Sequence, residues 1–229
     1  MPEFNRYAIY YMPEPGPLAD FGAAWLGWDA VAGEGRCHPE VPDLPRPVAD
    51  LTASPRKYGF HGTVKPPFRL TEGTDPATLD RAIAALCAET RPVVLDGLAL
   101  ARLGRFLALV PRGETTALNA LAARMVTGLD TFRAPAPMAE LARRRAAGLS
   151  ARQEEMLIRW GYPYVLEDFR FHLTLSGKLT EGEAETLLDT LQPFLTPLLS
   201  GPCRIDSLCL VGEDDAGRFH LVARYPLGG

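Results

Sequence analysis

Tyr58-Gly59-Phe60-His61-Gly62-Thr63-Val64 and Phe169-Arg170-Phe171-His172-Leu173-Thr174-Leu175 are the two stretches on which the reading of this chain turns. Both alternate with the period of two expected of a strand. Side chains at i and i+2 of a strand share a face, roughly 7 Å apart along the chain. His61 and Thr63 therefore project from one face, with Phe60, Gly62 and Val64 turned to the other. His172 and Thr174 do the same in front of Phe171, Leu173 and Leu175. Four polar groups on otherwise core-like strands cost free energy unless they are satisfied. Two imidazoles and two hydroxyls facing one another form an acid–base site.

A single His-x-Thr carries little information, because a buried histidine beside a β-forming threonine is an ordinary core feature. Here the surroundings repeat as well. Leu70-Thr71-Glu72-Gly73 matches Leu179-Thr180-Glu181-Gly182, and Leu95-Asp96-Gly97-Leu98 matches Ile205-Asp206-Ser207-Leu208. Gly104-Arg105-Phe106 matches Gly217-Arg218-Phe219, so the offset stays between 109 and 113 residues throughout. Two copies at so long a period exclude a solenoid. The expectation is an α+β chain of two pseudo-twofold-related lobes of antiparallel strands with flanking helices and a cleft between them. Lobe one covers approximately 1–112, a helical insert 113–165, and lobe two 166–229, in one bilobal domain.

The paired motifs on duplicated lobes resemble the 2H phosphoesterase superfamily. The segments Arg56–Phe68 and Arg159-Trp160-Gly161-Tyr162-Pro163-Tyr164 are similar more narrowly to its DUF1045 branch, which is associated by name with phosphonate metabolism. The resemblance runs from Tyr7 to about Tyr225. It implies a phosphoric diester hydrolase that opens a cyclic phosphodiester of a small nucleotide or ribosyl phosphate without a metal or other cofactor. His61, Thr63, His172 and Thr174 would be its catalytic residues.

The residue types support that chemistry on their own. Opening a cyclic phosphate with water needs one group to take a proton and another to give one. Imidazole suits both roles near neutral pH. The threonines can donate hydrogen bonds to the non-bridging oxygens, where charge accumulates. By strand parity Lys65 joins His61 and Thr63, while Arg170 and Ser176 join His172 and Thr174. These three, with Tyr164, are the candidate substrate-binding residues. Tyr10 and Tyr162 could also stack on a ligand, and Arg143-Arg144-Arg145 could roof the cleft. His38 reads as a surface residue and His220, aligned with Leu107, as structural.

Two other readings stand beside the phosphoesterase. A metal hydrolase would use Cys37, His38, His61 and His172, yet no HExxH or carboxylate cluster is present and the threonines would be unexplained. A binding module for RNA or a nucleotide would keep the cleft without turnover. Over 229 residues the net charge is −4, and the sequence pI is near 5.6. That balance argues against an extended nucleic-acid surface and leaves room for a local phosphate pocket. No apolar run reaches the length of a membrane span, so no membrane partner is expected. Met1-Pro2-Glu3-Phe4-Asn5-Arg6 lacks a secretory pattern. The four cysteines show no CxxC spacing, and the expected setting is the cytoplasm.

The remaining pattern places strands at 6–11, 57–65, 93–101, 105–111, 169–176, 204–211 and 218–225. Helices are expected at 18–30, from a cap at Thr74 or Asp75 to about Thr90, at 114–132, 138–147 and 150–160, and from Thr180 to about Leu199, bent or broken at Pro193 and Pro197. Ser150-Ala151-Arg152-Gln153 reads as a capping box, and the Pro-rich stretch 33–55 as a loop.

Overall fold

The computed structural model describes residues 3–229; Met1 and Pro2, part of the N-terminal run read above, lie outside the described residues. The strands are β1 (Arg6–Tyr11), β2 (Trp28–Asp29), β3 (Glu34–Gly35), β4 (Gly62–Phe68), β5 (Val93–Leu95), β6 (Gly97–Leu103), β7 (Phe106–Arg112), β8 (Leu173–Thr174), β9 (Cys203–Ile205), β10 (Ser207–Glu213) and β11 (Phe219–Pro226). The helices are α1 (Pro17–Leu26), α2 (Val48–Leu51), α3 (Pro76–Ala88), α4 (Thr116–Gly128), α5 (Met138–Arg145), α6 (Ala151–Trp160) and α7 (Glu181–Leu195).

Seven strands form one antiparallel sheet in the order β11-β10-β1-β4-β8-β7-β6, and the architecture is α+β. One face carries the main core. Ile9, Val64, Leu109, Leu173 and Leu208 of the sheet meet Trp25 of α1, Leu79 and Ile83 of α3, Leu121 and Met125 of α4, and Leu187 and Leu191 of α7. The indole of Trp25 donates to the Leu175 carbonyl at 2.8 Å, which ties α1 to the chain just beyond β8. On the other face Ala8, Tyr10, Cys209, Val211 and Phe219 are covered by Trp28 and Ala30, but only over the β1-β10-β11 half.

The helix ends follow their sequence signals. Asp75 caps α3 with Pro76 in its first turn, and Ser150 and Thr180 form capping boxes with Gln153 and Glu183. Pro193 lies inside α7, which passes into a 3₁₀ turn at Thr196.

Strand order redistributes the lobes expected at 1–112 and 166–229. β10 and β11 of the second copy join β1 and β4, whereas β6 and β7 of the first copy join β8. Each half-sheet thus combines both copies, because β6 and β10 are exchanged across the pseudo-axis. Equivalent strands meet on that axis twice: Gly62 pairs with Leu173, and Val94 with Arg204 in the separate β5–β9 ladder. The spatial counterpart of β1 is β7, since each lies outside a His-x-Thr strand. β11 is an added edge strand, so the sequence match between β7 and β11 is not a match of position.

The two motif strands are also shorter than their alternation suggests. Arg56–Tyr58 is a 3₁₀ turn, Gly59 has φ +71°, and β4 begins only at Gly62. Residues 169–172 lie outside β8, which is Leu173–Thr174 alone.

At the junction a Cβ built on Gly62 would lie 2.4 Å from the Phe171 ring. Gly62→Val should therefore destabilise the protein by about 2 kcal/mol, the usual scale of overpacking. Gly182→Ala, in open space within α7, should be neutral or stabilising by up to about 1 kcal/mol. Urea unfolding of both variants checks this; equal stability of Gly62→Val and wild type would show that the junction is not tightly packed.

Candidate active site

The pairing of Gly62 with Leu173 sets the site. In an antiparallel ladder the flanking positions then oppose one another, His61 to Thr174 and Thr63 to His172, all on the face away from the main core. Direct partners have Cβ atoms about 5 Å apart and diagonal ones about 7–8 Å. The four motif side chains occupy the corners of a square, with the two imidazoles on one diagonal.

Each imidazole is held by the same local device. Nδ1–H of His61 donates to the Gly59 carbonyl at 2.9 Å, and Nδ1–H of His172 to the Arg170 carbonyl at 2.7 Å. A carbonyl only accepts, so both Nδ1 atoms carry protons and in each neutral ring Nε2 is the unprotonated nitrogen. The Thr63 hydroxyl donates to Nε2 of His61 at 3.1 Å. Both carbonyls are available because each histidine sits one residue before its strand.

The two rings differ in what covers them. Tyr10, the β1 partner of Thr63, stacks on His61 with ring centroids 3.7 Å apart and planes at 23°. Tyr58 lies 6.0 Å from His61. Burial holds the His61 pKa down to about 4, with the backbone bond to Gly59 opposing and the nearby His172 assisting. At the position equivalent to Tyr10, the partner of Thr174 is Ala108. His172 is partly exposed, with Phe106 5.6 Å away and tilted by 51°.

The other expected residues are placed less uniformly. A register shift between Tyr10 and Ile9 pairs Lys65 with Ile9 and turns it from the Thr63 face toward α4. Its ammonium is buried, donates to the Val126 carbonyl at 2.9 Å and lies 3.9 Å from Asp130. Burial lowers its pKa to about 8, with Asp130 opposing. The Ser176 hydroxyl is also buried, accepting from the Leu107 amide and donating to the Gly177 carbonyl, both at 2.9 Å. Arg170 is exposed beside His172. Tyr164 is 42% exposed and meets Tyr162 edge-on at 5.7 Å.

Of the arginine run, Arg144 pairs with Glu140 at 2.7 Å and lies over Tyr162, and Arg145 pairs with Glu154. Arg143 borders a depression of about 560 Å³ shared with Arg6, Arg69, Glu140 and Glu213, whose charges largely balance. Two details had no clear sequence signal: Tyr10 stacks on His61 itself, and Phe106 stands beside His172. The repeat flagged Phe106 only as part of a matched turn. Among the described residues no group of three or more His, Cys, Asp or Glu side chains could hold a metal, and no helix is long and apolar enough to cross a membrane.

Known proteins were compared with this chain. It is 40% identical over 232 residues to ribose 1,5-bisphosphate phosphokinase PhnN of Janthinobacterium sp. (strain Marseille), covering 98% of this chain and 51% of that protein. The protein of the same name from Laribacter hongkongensis (strain HLHK9) is 34% identical over 230 residues, covering 96% and 51%. The chain thus spans about half the length of these curated relatives. Among solved structures, Escherichia coli LigT complexed with NADP+ aligns over all of both chains at 14% identity with a TM-score of 0.44. LigT complexed with 3'-AMP gives 0.42 over 99% and 100% at the same identity. The family described as a protein of unknown function, DUF1045, matches residues 63–220, and the chain belongs to it.

Proposed function

We propose that this chain is a phosphoesterase that opens a small cyclic phosphodiester, of a nucleotide or a ribosyl phosphate, with water and without a metal. The observation that carries the reading is the register that sets two imidazoles and two hydroxyls on one face, each ring held through Nδ1. In the reaction Nε2 of His61 takes a proton from water as its oxygen bonds to phosphorus. The bond from phosphorus to one ring oxygen breaks, and Nε2–H of protonated His172 gives that oxygen its proton. The products are a phosphate monoester and a free hydroxyl. Thr63 and Thr174 donate to the non-bridging oxygens as charge grows there.

His61 is the base in this scheme because burial keeps it neutral at pH 7, and its Nε2 lone pair is freed when the Thr63 hydroxyl turns from it to the phosphate. Arg170 supplies positive charge at the exposed side of the site, and Tyr164 a partly exposed ring. The relatives' name supports a phosphorylated ribose as the substrate class. This chain has no Gly-x-x-x-x-Gly-Lys-Ser/Thr loop for a nucleoside triphosphate. We assign it the phosphoesterase step rather than the kinase step, in the cytoplasm and within phosphonate metabolism, as the sequence resemblance suggests.

Turnover of nucleoside 2′,3′-cyclic and ribose 1,2-cyclic phosphates is the direct test. His61→Ala and His172→Ala should each lower kcat by about 10²–10⁴-fold, the scale of one acid–base group, and Thr63→Val and Thr174→Val by less. Full activity in His172→Ala would sink the two-histidine mechanism.

The pH profile should be bell-shaped, and EDTA should leave it unchanged. Falling pH protonates the base, so with His61 lowered to about 4 the acid limb of kcat/KM should lie well below the ordinary imidazole value. Tyr10→Leu, which uncovers the ring, should move that limb upward. An acid limb near 6.5 in the wild type would remove His61 from the role of base, and loss of activity to EDTA with recovery on adding a divalent ion would favour a metal hydrolase.

A further inference from the structure

Lys65 is a buried cation that the reaction scheme does not use. It stands two residues beyond Thr63 on the strand of the first motif and is 2% exposed. Thr63 pairs with Tyr10, but Lys65 already pairs with Ile9, so Val64 and Lys65 together oppose one residue of β1. That two-against-one count is a bulge. Val64 packs in the main core, and the lysine chain runs to α4. A bulge can slide along its strand. With Lys65 anchored on the core side and Thr63 on the other, the extra residue must lie between them.

The backbone around this point has few ties of its own. Pro66 and Pro67 follow, and neither has an amide hydrogen to give to a ladder. Among the described residues, the pairing of β4 with β8 is Gly62 with Leu173 alone. The lysine makes the further tie. Its ammonium donates to the Val126 carbonyl at 2.9 Å, in the last turn of α4, and lies 3.9 Å from Asp130 just beyond that helix. A helix C-terminus carries partial negative charge, and α4 has no basic residue in its own last turn. Asp130 is fixed in turn by Arg133 at 2.7 Å, and Arg133 donates to the Arg159 carbonyl at the end of α6 at 2.9 Å. The bulge is thereby fastened to α4 and, through Asp130 and Arg133, to α6.

A buried charge is a poor source of stability, since an apolar side chain of similar volume often serves as well or better. Its place beside the first motif points to geometry instead. We propose that Lys65 is a positioning residue: by fastening the bulge to α4 it holds Thr63 on the site face opposite Tyr10, and so keeps the Tyr10 ring stacked on His61. The assignment rests on the phosphoesterase reading and gives that site a support in the helices between the two copies.

The test reads His61 directly and needs no substrate. In Lys65→Met a side chain of similar length fills the space without a donor, so the effect reports the bond and not the volume. NMR titration of the His61 ring should move from about 4 in the wild type toward the ordinary imidazole value of about 6.5. In turnover of a nucleoside 2′,3′-cyclic phosphate, kcat should fall by about tenfold, less than the roughly 10²-fold cost of a 1 Å misplacement, with KM changed less. In a Tyr10→Leu background, where the covering ring is already gone, Lys65→Met should add little to the shift. Leu187→Ala, at a fully buried position of α7, should lower stability and leave the His61 titration in place.

Should Lys65→Met fail to fold, Asp130→Asn decides: it keeps the Val126 bond, removes the carboxylate, and should move the titration the same way by less. An unmoved His61 titration in whichever of these variants folds would overturn the positioning role. So would an equal shift in Leu187→Ala, a shift that adds fully to that of Tyr10→Leu, or an unchanged kcat in an active enzyme. A His61 titration that follows Lys65 in a protein hydrolysing no cyclic phosphate would uphold the support of the ring and overturn the phosphoesterase reading instead.

Discussion

A single residue pair, Gly62 with Leu173, joins the two halves of the sheet and fixes the geometry of everything on it. Glycine is required because the Phe171 ring occupies the place of a side chain. The shortness of the junction matters as much as its existence. Were the ladder to continue through residues 59–61 and 170–172, the carbonyls of Gly59 and Arg170 would face competition from a neighbouring strand. Left outside it, they bind Nδ1 of His61 and His172 and make each Nε2 the unprotonated nitrogen of the neutral ring. A brief strand contact thus positions four side chains and selects two tautomers.

The exchange of β6 and β10 across the pseudo-axis makes the halves interdependent. β1 pairs with β10, some two hundred residues away, and β8 pairs with β7 of the first copy. Neither copy can close its half-sheet alone, so the site forms only when the whole chain is folded. Long-range pairing of this kind slows folding, and the short β5–β9 ladder adds a second tie on the same axis.

The duplication and the site-bearing face were legible because they rest on local pattern: two His-x-Thr runs, matched flanks and matched capping signals. Ser150 with Gln153 and Asp75 with Pro76 occupy the places their chemistry dictates. Strand order was not legible, because a repeat in sequence does not say whether its pieces pair within a copy or between copies. Parity also failed at Lys65. A bulge next to Thr63 turns Lys65 to the other face before a second shift precedes Phe68, and alternation alone cannot reveal an extra residue. Ser176 lies beyond β8, and its hydroxyl accepts from the Leu107 amide of β7, which no spacing rule foretells.

The difference between the surroundings of the two histidines also comes from the outer strands. Both motifs offer the same atoms, both rings are pinned through Nδ1, and the sequence gives no ground for telling base from acid. The difference enters one strand further out, where Thr63 meets Tyr10 and Thr174 meets Ala108. A stacked tyrosine removes water from the face of His61 and disfavours its charged form. The alanine opposite Thr174 offers His172 no ring to stack on. Of the two rings, His61 is the one held toward its neutral form, the state a general base needs. The two copies therefore present the same motif against unlike neighbours, a ring beside Thr63 and a methyl group beside Thr174.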